Sequence, residues 1–157
     1  MLSTGDLAPD FGLSDETGTT RRLSVMLEDG PVVLFFYPVA LSGGCTSQAC
    51  HFRDLAAEFA AAGGQRVGIS TDAVGKQKEF ADLNGFGYPL LSDPDGLVSE
   101  MFGVRRKLLK SVPVKRATFV IAPDRTIIEA FKNELKMQVH ADRALSALAR
   151  HGRPVAP

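Results

Sequence analysis

Two residues stand out as able to do chemistry, Cys45 and Cys50, the two cysteines of the chain. Their setting matters as much as their type. Pro31 to Tyr37 is an apolar, β-prone run of the length of a strand buried on both faces. Pro38 ends it, having no N–H to give a ladder and a fixed φ. Gly43-Gly44 permit a tight backbone path, and a helical pattern then begins, which places Cys45 in or beside a helix first turn. Unpaired N–H groups and the positive end of the helix dipole meet the sulfur there, and both favour thiolate over thiol. A cysteine at a strand-to-helix junction, with a second close behind, is the arrangement of a redox-active thiol.

The elements that must position this junction follow from periodicity. Asp10–Leu13 and Thr19–Leu23 are short extended segments around a polar, Gly-closed linker, so a hairpin is expected. Leu23–Leu27 forms a short helical turn, and Pro31–Tyr37 is the first strong strand. Thr46–Ala62 reads as one helix, because Ala49, Phe52, Leu55 or Ala56, and Phe59 recur at helical spacing before Gly63-Gly64. Strands are expected at Gln65–Ser70, Tyr88–Leu91, Arg116–Ile121 and Thr126–Phe131, and helices at Val74–Leu83, Asp95–Phe102 and Val139–Leu148. The segment Val104–Val114 shows no clear period, and 152–157 has too little to bury and frays. A hairpin followed by β-α-β-α and β-β-α matches a thioredoxin-like α/β sandwich of three layers. Its central strands 31–37 and 65–70 run parallel across a helical crossover.

The junction also carries a resemblance. Pro38-x-x-x-Ser42-x-x-Cys45 resembles the Pro-x-x-x-Thr/Ser-x-x-Cys signature of peroxiredoxins. The wider run Phe36-Tyr37-Pro38…Gly44-Cys45-Thr46…Gln48-Ala49-Cys50…Phe52-Arg53-Asp54 is similar to the bacterioferritin-comigratory-protein, or peroxiredoxin Q, branch. So are Gly5-Asp6…Ala8-Pro9-Asp10-Phe11, Val67-Gly68-Ile69-Ser70-Thr71-Asp72, Tyr88-Pro89-Leu90-Leu91-Ser92-Asp93 and Arg116-Ala117-Thr118-Phe119-Val120-Ile121. The resemblance spans nearly the whole chain. It departs at Ser42, where the branch usually has Thr, and at Gly43-Gly44, where it has Pro-Gly. Serine keeps the hydroxyl, while glycine in place of proline loosens the loop.

The resemblance implies a thiol peroxidase without a cofactor or metal, acting on hydrogen peroxide or an organic hydroperoxide. Cys45 would be the peroxidatic thiol. A free cysteine is only about 3% thiolate at pH 7, so ionisation alone raises the rate by about 30-fold at most. Further acceleration needs donors that orient the peroxide and stabilise the departing oxygen, each contributing ~10²–10³. Ser42 and the N–H groups of Gly44 and Cys45 are local candidates. Arg116, matching the active-site arginine of the family, supplies a permanently charged fork. By resemblance Pro38 shields the thiolate. Phe35, Phe36, Tyr37 and Phe52 read as core aromatics whose site role would be to line the peroxide pocket, and Gln48, three residues after Cys45, reads as a supporting polar residue or as helix surface. The Cys45 sulfenic acid must then condense with a thiol, and Cys50 is the available one. Five helical residues separate their Cα atoms by about 8.5 Å, beyond the ~7 Å limit of a disulfide, so the helix start must unwind. A thioredoxin-type protein is the implied reductant, and the branch is a monomer or weak dimer.

Other readings fit these residues less well. A thiol-disulfide oxidoreductase needs Cys-x-x-Cys so that both sulfurs meet at one helix start, which Cys-x-x-x-x-Cys does not give. Cys45, Cys50 and His51 lack the paired spacing of a zinc site. A non-catalytic thioredoxin-fold binding module has no signature of its own to test. His51 lies six helical positions from Cys45, about 240° around the axis, so it reads as a surface or packing residue, as do His140 and His151. Met26, Met101 and Met137 read as filler. Arg105-Arg106-Lys107 reads as a solvated loop, with docking of an acidic reductant as its functional alternative.

Composition sets the frame. A chain of 157 residues, 45% hydrophobic and 23% charged, fits one globular domain over 1–157. Eighteen basic and eighteen acidic residues cancel, so no net field favours nucleic acid or an anionic membrane. The start Met1-Leu2-Ser3-Thr4-Gly5-Asp6 lacks the pattern of a secretion signal, and no apolar run approaches ~20 residues. The expectation is a cytoplasmic protein, where cysteines bond for chemistry rather than for structure.

Overall fold

The structure, a computed structural model, describes residues 1–108 and 111–152. Leu109 and Lys110 of the aperiodic segment lie outside the described residues, as does the expected frayed tail beyond Gly152. Strands β1 (Gly12–Ser14) and β2 (Thr20–Arg22) pair antiparallel as the hairpin, followed by the short helix α1 (Leu23–Met26) and a 3-10 turn at Leu27–Asp29. Then come β3 (Val32–Phe36), α2 (Gly43–Asp54), α3 (Ala56–Ala61), β4 (Gln65–Ser70) and α4 (Val74–Asn84). The chain closes with β5 (Leu90–Ser92), α5 (Leu97–Met101), β6 (Ala117–Ile121), β7 (Ile127–Lys132) and α6 (Val139–His151).

The five-stranded sheet has the order β5-β4-β3-β6-β7. β3, β4 and β5 are parallel, while β6 and β7 join antiparallel. Successive side chains of β3 point to opposite faces, which sorts the core into two layers. Val32, Leu34 and Phe36 pack with Leu23, Met26, Val98, Phe102 and Phe119. Val33, Phe35 and Tyr37 pack with Cys45, Ala49, Phe52, Phe59, Phe80 and the apolar face of α6. Helices therefore cover both faces of the sheet, the three-layer thioredoxin-like sandwich with an added N-terminal hairpin. Gly68 in β4 is required by this packing. A Cβ there would lie 2.9 Å from Leu90 Cδ2 and 3.1 Å from both the Phe35 and Tyr37 rings.

The helix expected as one piece over 46–62 differs in two ways. It begins at Gly43, three residues earlier, and it breaks at Leu55 into α2 and α3. The earlier start follows from the Ser42 cap. At the break, the Arg66 guanidinium of β4 donates to the carbonyls of Phe52 (2.9 Å) and Arg53 (3.5 Å), satisfying the end of α2 from a distant strand. Local spacing does not carry that partner.

Candidate active site

Ser42 is the N-cap of α2, with an extended backbone (φ −72°, ψ 154°). Its Oγ accepts from the Cys45 N–H at 3.4 Å and donates to Val39 O at 2.9 Å. Cys45 is thus the third helical residue, its N–H held by the cap and its side chain 1% exposed. Gly44, at the second position, has an N–H that the helix cannot satisfy. Leu41 is held at φ 71°, a left-handed conformation that costs a leucine roughly 1–2 kcal/mol, so the approach to the helix is strained.

Arg116 reaches this helix start through sheet register. β3 and β6 are antiparallel with Phe36 opposite Ala117, so the chain leaving β3 and the residue entering β6 lie at one end of the sheet. There Arg116 Nη1 donates to Cys45 Sγ at 3.4 Å and to Gln48 Oε1 at 2.5 Å. Arg116 is 7% exposed and Gln48 is fully buried. Oε1 must be the Gln48 atom facing the guanidinium, since the amide nitrogen would set donor against donor. That orientation leaves Gln48 Nε2 and Arg116 Nε buried without a hydrogen-bond partner among the described residues. Two unused donors beside a buried thiol are places for the oxygens of a small polar ligand. Gly44 lets Arg116 come close: a Cβ there would crowd Arg116 Nη2 at 3.3 Å and touch Met137 Cε at 3.6 Å. At Gly43 a Cβ would have no atom of the described residues within 4 Å.

Several residues act at one remove. Glu134 Oε1 accepts from the Arg116 backbone N–H (3.1 Å) and from Arg106 Nη2 (2.8 Å), fixing the start of β6. Asp72 Oδ2 accepts from Ala40 N (2.7 Å) and from Ser70 Oγ (2.7 Å), tying down the loop that carries Ser42. Neither Asp72 nor Glu134 is among the residues singled out by motif, though Asp72 lies in a stretch that carries the resemblance. Met137, read as filler, touches the site through Gly44.

Placement refines the sequence-derived roles. Tyr37 shares a cluster with Cys45, but its hydroxyl donates to Gln77 Oε1 at 2.5 Å, so it presents its ring to the site and not its oxygen. Burial pushes that phenol well above its usual range, keeping it a donor. Phe36 points to the opposite face of the sheet and cannot line a pocket at Cys45. Ser42 spends its proton on Val39 O, so in this arrangement its hydroxyl does not donate toward the sulfur. Pro38 is buried at the end of β3. Cys50, half-buried in mid-helix, has its Sγ 3.7 Å from Asn84 Oδ1, and both cysteines are free. His51 contacts Asp142 of α6 at 2.7 Å, away from the sulfur.

His140 is a packing residue with a consequence for pH. It is fully buried, its Nε2 facing Asn133 O at 2.8 Å and its Nδ1 the Thr118 hydroxyl at 2.7 Å, while Asn133 N–H donates to Arg116 O. The carbonyl can only accept, so Nε2 carries a proton, and in the neutral ring the Thr118 hydroxyl donates to Nδ1. Burial first, and the nearby Arg116 charge, hold its pKa below the usual histidine value of 6.5. Above 6.5 the folded and unfolded chains are both unprotonated at this residue. Below it the unfolded chain takes the proton first, so stability falls with pH until the folded pKa is reached. The loss accrues at up to ~1.4 kcal/mol per pH unit in that window. Thermal melts from pH 7.5 to 5 should show a declining Tm, and His140→Gln should flatten the decline.

The family model described as AhpC/TSA family matches residues 4–130. The crystal structure of peroxidoxin BcpB from Mycobacterium tuberculosis superimposes with a TM-score of 0.93 at 57% identity, covering 98% of this chain and all of that one. Bacterioferritin comigratory protein of Xanthomonas campestris, whose structures are described in terms of alkyl peroxide reduction, gives a TM-score of 0.85 at 29% identity. It covers 97% of this chain and 100% of that chain. Chloroplastic peroxiredoxin Q of Gentiana triflora is 35% identical over 147 residues, 94% of this chain and 67% of that protein. A buried cysteine at a capped helix start, met by an arginine from the neighbouring strand, is thus found in a chain that belongs to the AhpC/TSA family, in its peroxiredoxin Q branch of thiol-dependent peroxidases.

Proposed function

We propose that Cys45 is the peroxidatic thiol of this peroxidase, that Cys50 resolves it within the same chain, and that a thioredoxin-type protein reduces the product. The observation that carries the reading is the Arg116 Nη1 contact to Cys45 Sγ, with Gln48 holding the same nitrogen. The Cys45 thiolate attacks the terminal oxygen of a hydroperoxide. The O–O bond breaks, Cys45 becomes a sulfenic acid, and the other oxygen leaves as alkoxide or hydroxide and takes a proton from water. Arg116 Nε and Gln48 Nε2, buried donors without partners, are the groups available to the peroxide oxygens. The buried Pro38 and the Tyr37 ring exclude water beside the sulfur.

Cys50 then attacks the sulfenic sulfur, giving a disulfide and water. In the intact α2 the two Cα atoms are about 8.5 Å apart, so the first turns must unwind before the bond forms. The hydroperoxide is hydrogen peroxide or an organic one; alkyl peroxide reduction, named for the Xanthomonas campestris relative, supports the second. The protein would work in the cytoplasm as a monomer or weak dimer, consistent with a chain of balanced charge whose only cysteines are these two.

The test is to treat the reduced protein with one equivalent of hydroperoxide, then map its sulfur state and its amide exchange. A Cys45–Cys50 disulfide reducible by thioredoxin, with exchange over residues 42–52 faster in the oxidised form, is the expected result. Equal protection in the two forms would rule out the unwinding step.

A further inference from the structure

Joining Cys45 to Cys50 requires α2 to open from its first turns as far as the turn that carries Cys50, so bonds that pin the residues between the two cysteines resist the reaction. Tyr88 donates its hydroxyl to Ala49 O at 2.6 Å. Ala49 lies between the two cysteines, and its carbonyl already accepts the Arg53 N–H of the helix, so Tyr88 adds a second bond to the turn that has to move. Burial keeps the phenol well above its usual range, hence always a donor. The ring is wedged against Phe86 (5.5 Å) and edge-on to Phe35 (5.7 Å), which itself stacks on Phe52 of α2 at 4.1 Å. Arg66 lies 5.0 Å over the same ring while donating to the Phe52 and Arg53 carbonyls. Arg53 Nη1 reaches Asn84 O at 2.8 Å, anchoring the helix to the end of α4.

We propose that Tyr88 is a positioning residue that clamps α2 shut, and so sets how the Cys45 sulfenic acid divides between the Cys50 disulfide and over-oxidation. This rests on Cys50 being the resolving thiol. The two fates compete for one species. In the first, Cys50 thiol displaces hydroxide from the sulfenic sulfur, forming the S–S bond and releasing water. In the second, the sulfenate attacks another hydroperoxide, breaking its O–O bond to give the sulfinate and one alcohol or water. A clamp that slows opening leaves more time for the second.

Tyr88→Phe removes the clamping hydroxyl and leaves the Ala49 carbonyl with its helical partner. One neutral hydrogen bond fewer should speed disulfide formation by about 5-fold, equivalent to ~1 kcal/mol at 1.4 kcal/mol per factor of ten. The peroxide dose that converts half of Cys45 to sulfinate should rise by the same factor, with the rate of the first oxidation unchanged. Arg66→Lys, which loses the fork over the two carbonyls, should move the dose in the same direction. Acid-quenched intact mass spectrometry after graded peroxide pulses reads both quantities. A purely structural Tyr88 would lower Tm without moving the sulfinate dose, and that result overturns the proposal. If wild type forms the Cys45–Cys50 disulfide but Tyr88→Phe matches it in rate and dose, the clamp alone is wrong. If wild type forms no such disulfide at any dose, the resolving role of Cys50 fails and the clamp falls with it.

Discussion

Cys45→Ser is expected to abolish peroxide consumption, leaving only the uncatalysed background. A serine hydroxyl stays protonated at neutral pH, and oxygen is a far poorer nucleophile toward peroxide than sulfur, so neither the helix start nor Arg116 can rescue it. The sulfur is also the two-electron reductant of the O–O bond, a role that a serine oxygen cannot take over. The fold should persist, because serine is smaller than the thiol it replaces and retains hydrogen-bonding capacity toward Arg116. Peroxide loss followed by a colorimetric assay, with a melt to confirm folding, decides the matter. Residual turnover within tenfold of wild type would remove Cys45 from the role assigned to it. Cys50→Ser makes the useful contrast: it should consume one equivalent, stall with a thioredoxin-type reductant and over-oxidise readily.

Arg116→Lys should slow the first oxidation of Cys45 by ~10²-fold, in the range measured for removing one preorganised donor. Charge is conserved, so a purely electrostatic role would predict a small effect. The guanidinium does more. It binds the sulfur and Gln48 through Nη1 and keeps Nε buried and free, a geometry that one ammonium cannot reproduce. Lysine would also leave Gln48 Oε1 to find another donor in a buried setting. Stopped-flow kinetics of the reduced protein with hydroperoxide should show the loss in this step, with disulfide formation little changed. A rate within about threefold of wild type would put the acceleration elsewhere.

Much of the architecture is legible in the residues because it is encoded at short range. β3, β4, α4 and α6 follow from runs and periods that bury one face or both, and the observed bounds lie within a few residues of the expected ones. The hairpin follows from its polar, Gly-closed linker. Boundaries fail where a remote group intervenes. Arg66 ends α2 at Leu55, although the apolar period runs on through Phe59. Likewise the period-2 alternation of β3 separates Phe36 from Phe35 and Tyr37, a division that a uniformly apolar run hides.

The site divides along the same line. Cys45, its strand-to-helix setting and the five-residue spacing to Cys50 can be read from the chain alone, because helix starts and nucleophile spacing are local properties. Cys45 and Arg116 stand 71 residues apart, and only the antiparallel register of β3 with β6 makes them neighbours. Tyr88 over Ala49, Asp72 on the Ser42 loop and Glu134 beneath Arg116 belong to that second kind. A single hydrogen bond across the fold leaves no periodic trace in composition, so these partners became visible only once the sheet had set which ends of its strands meet.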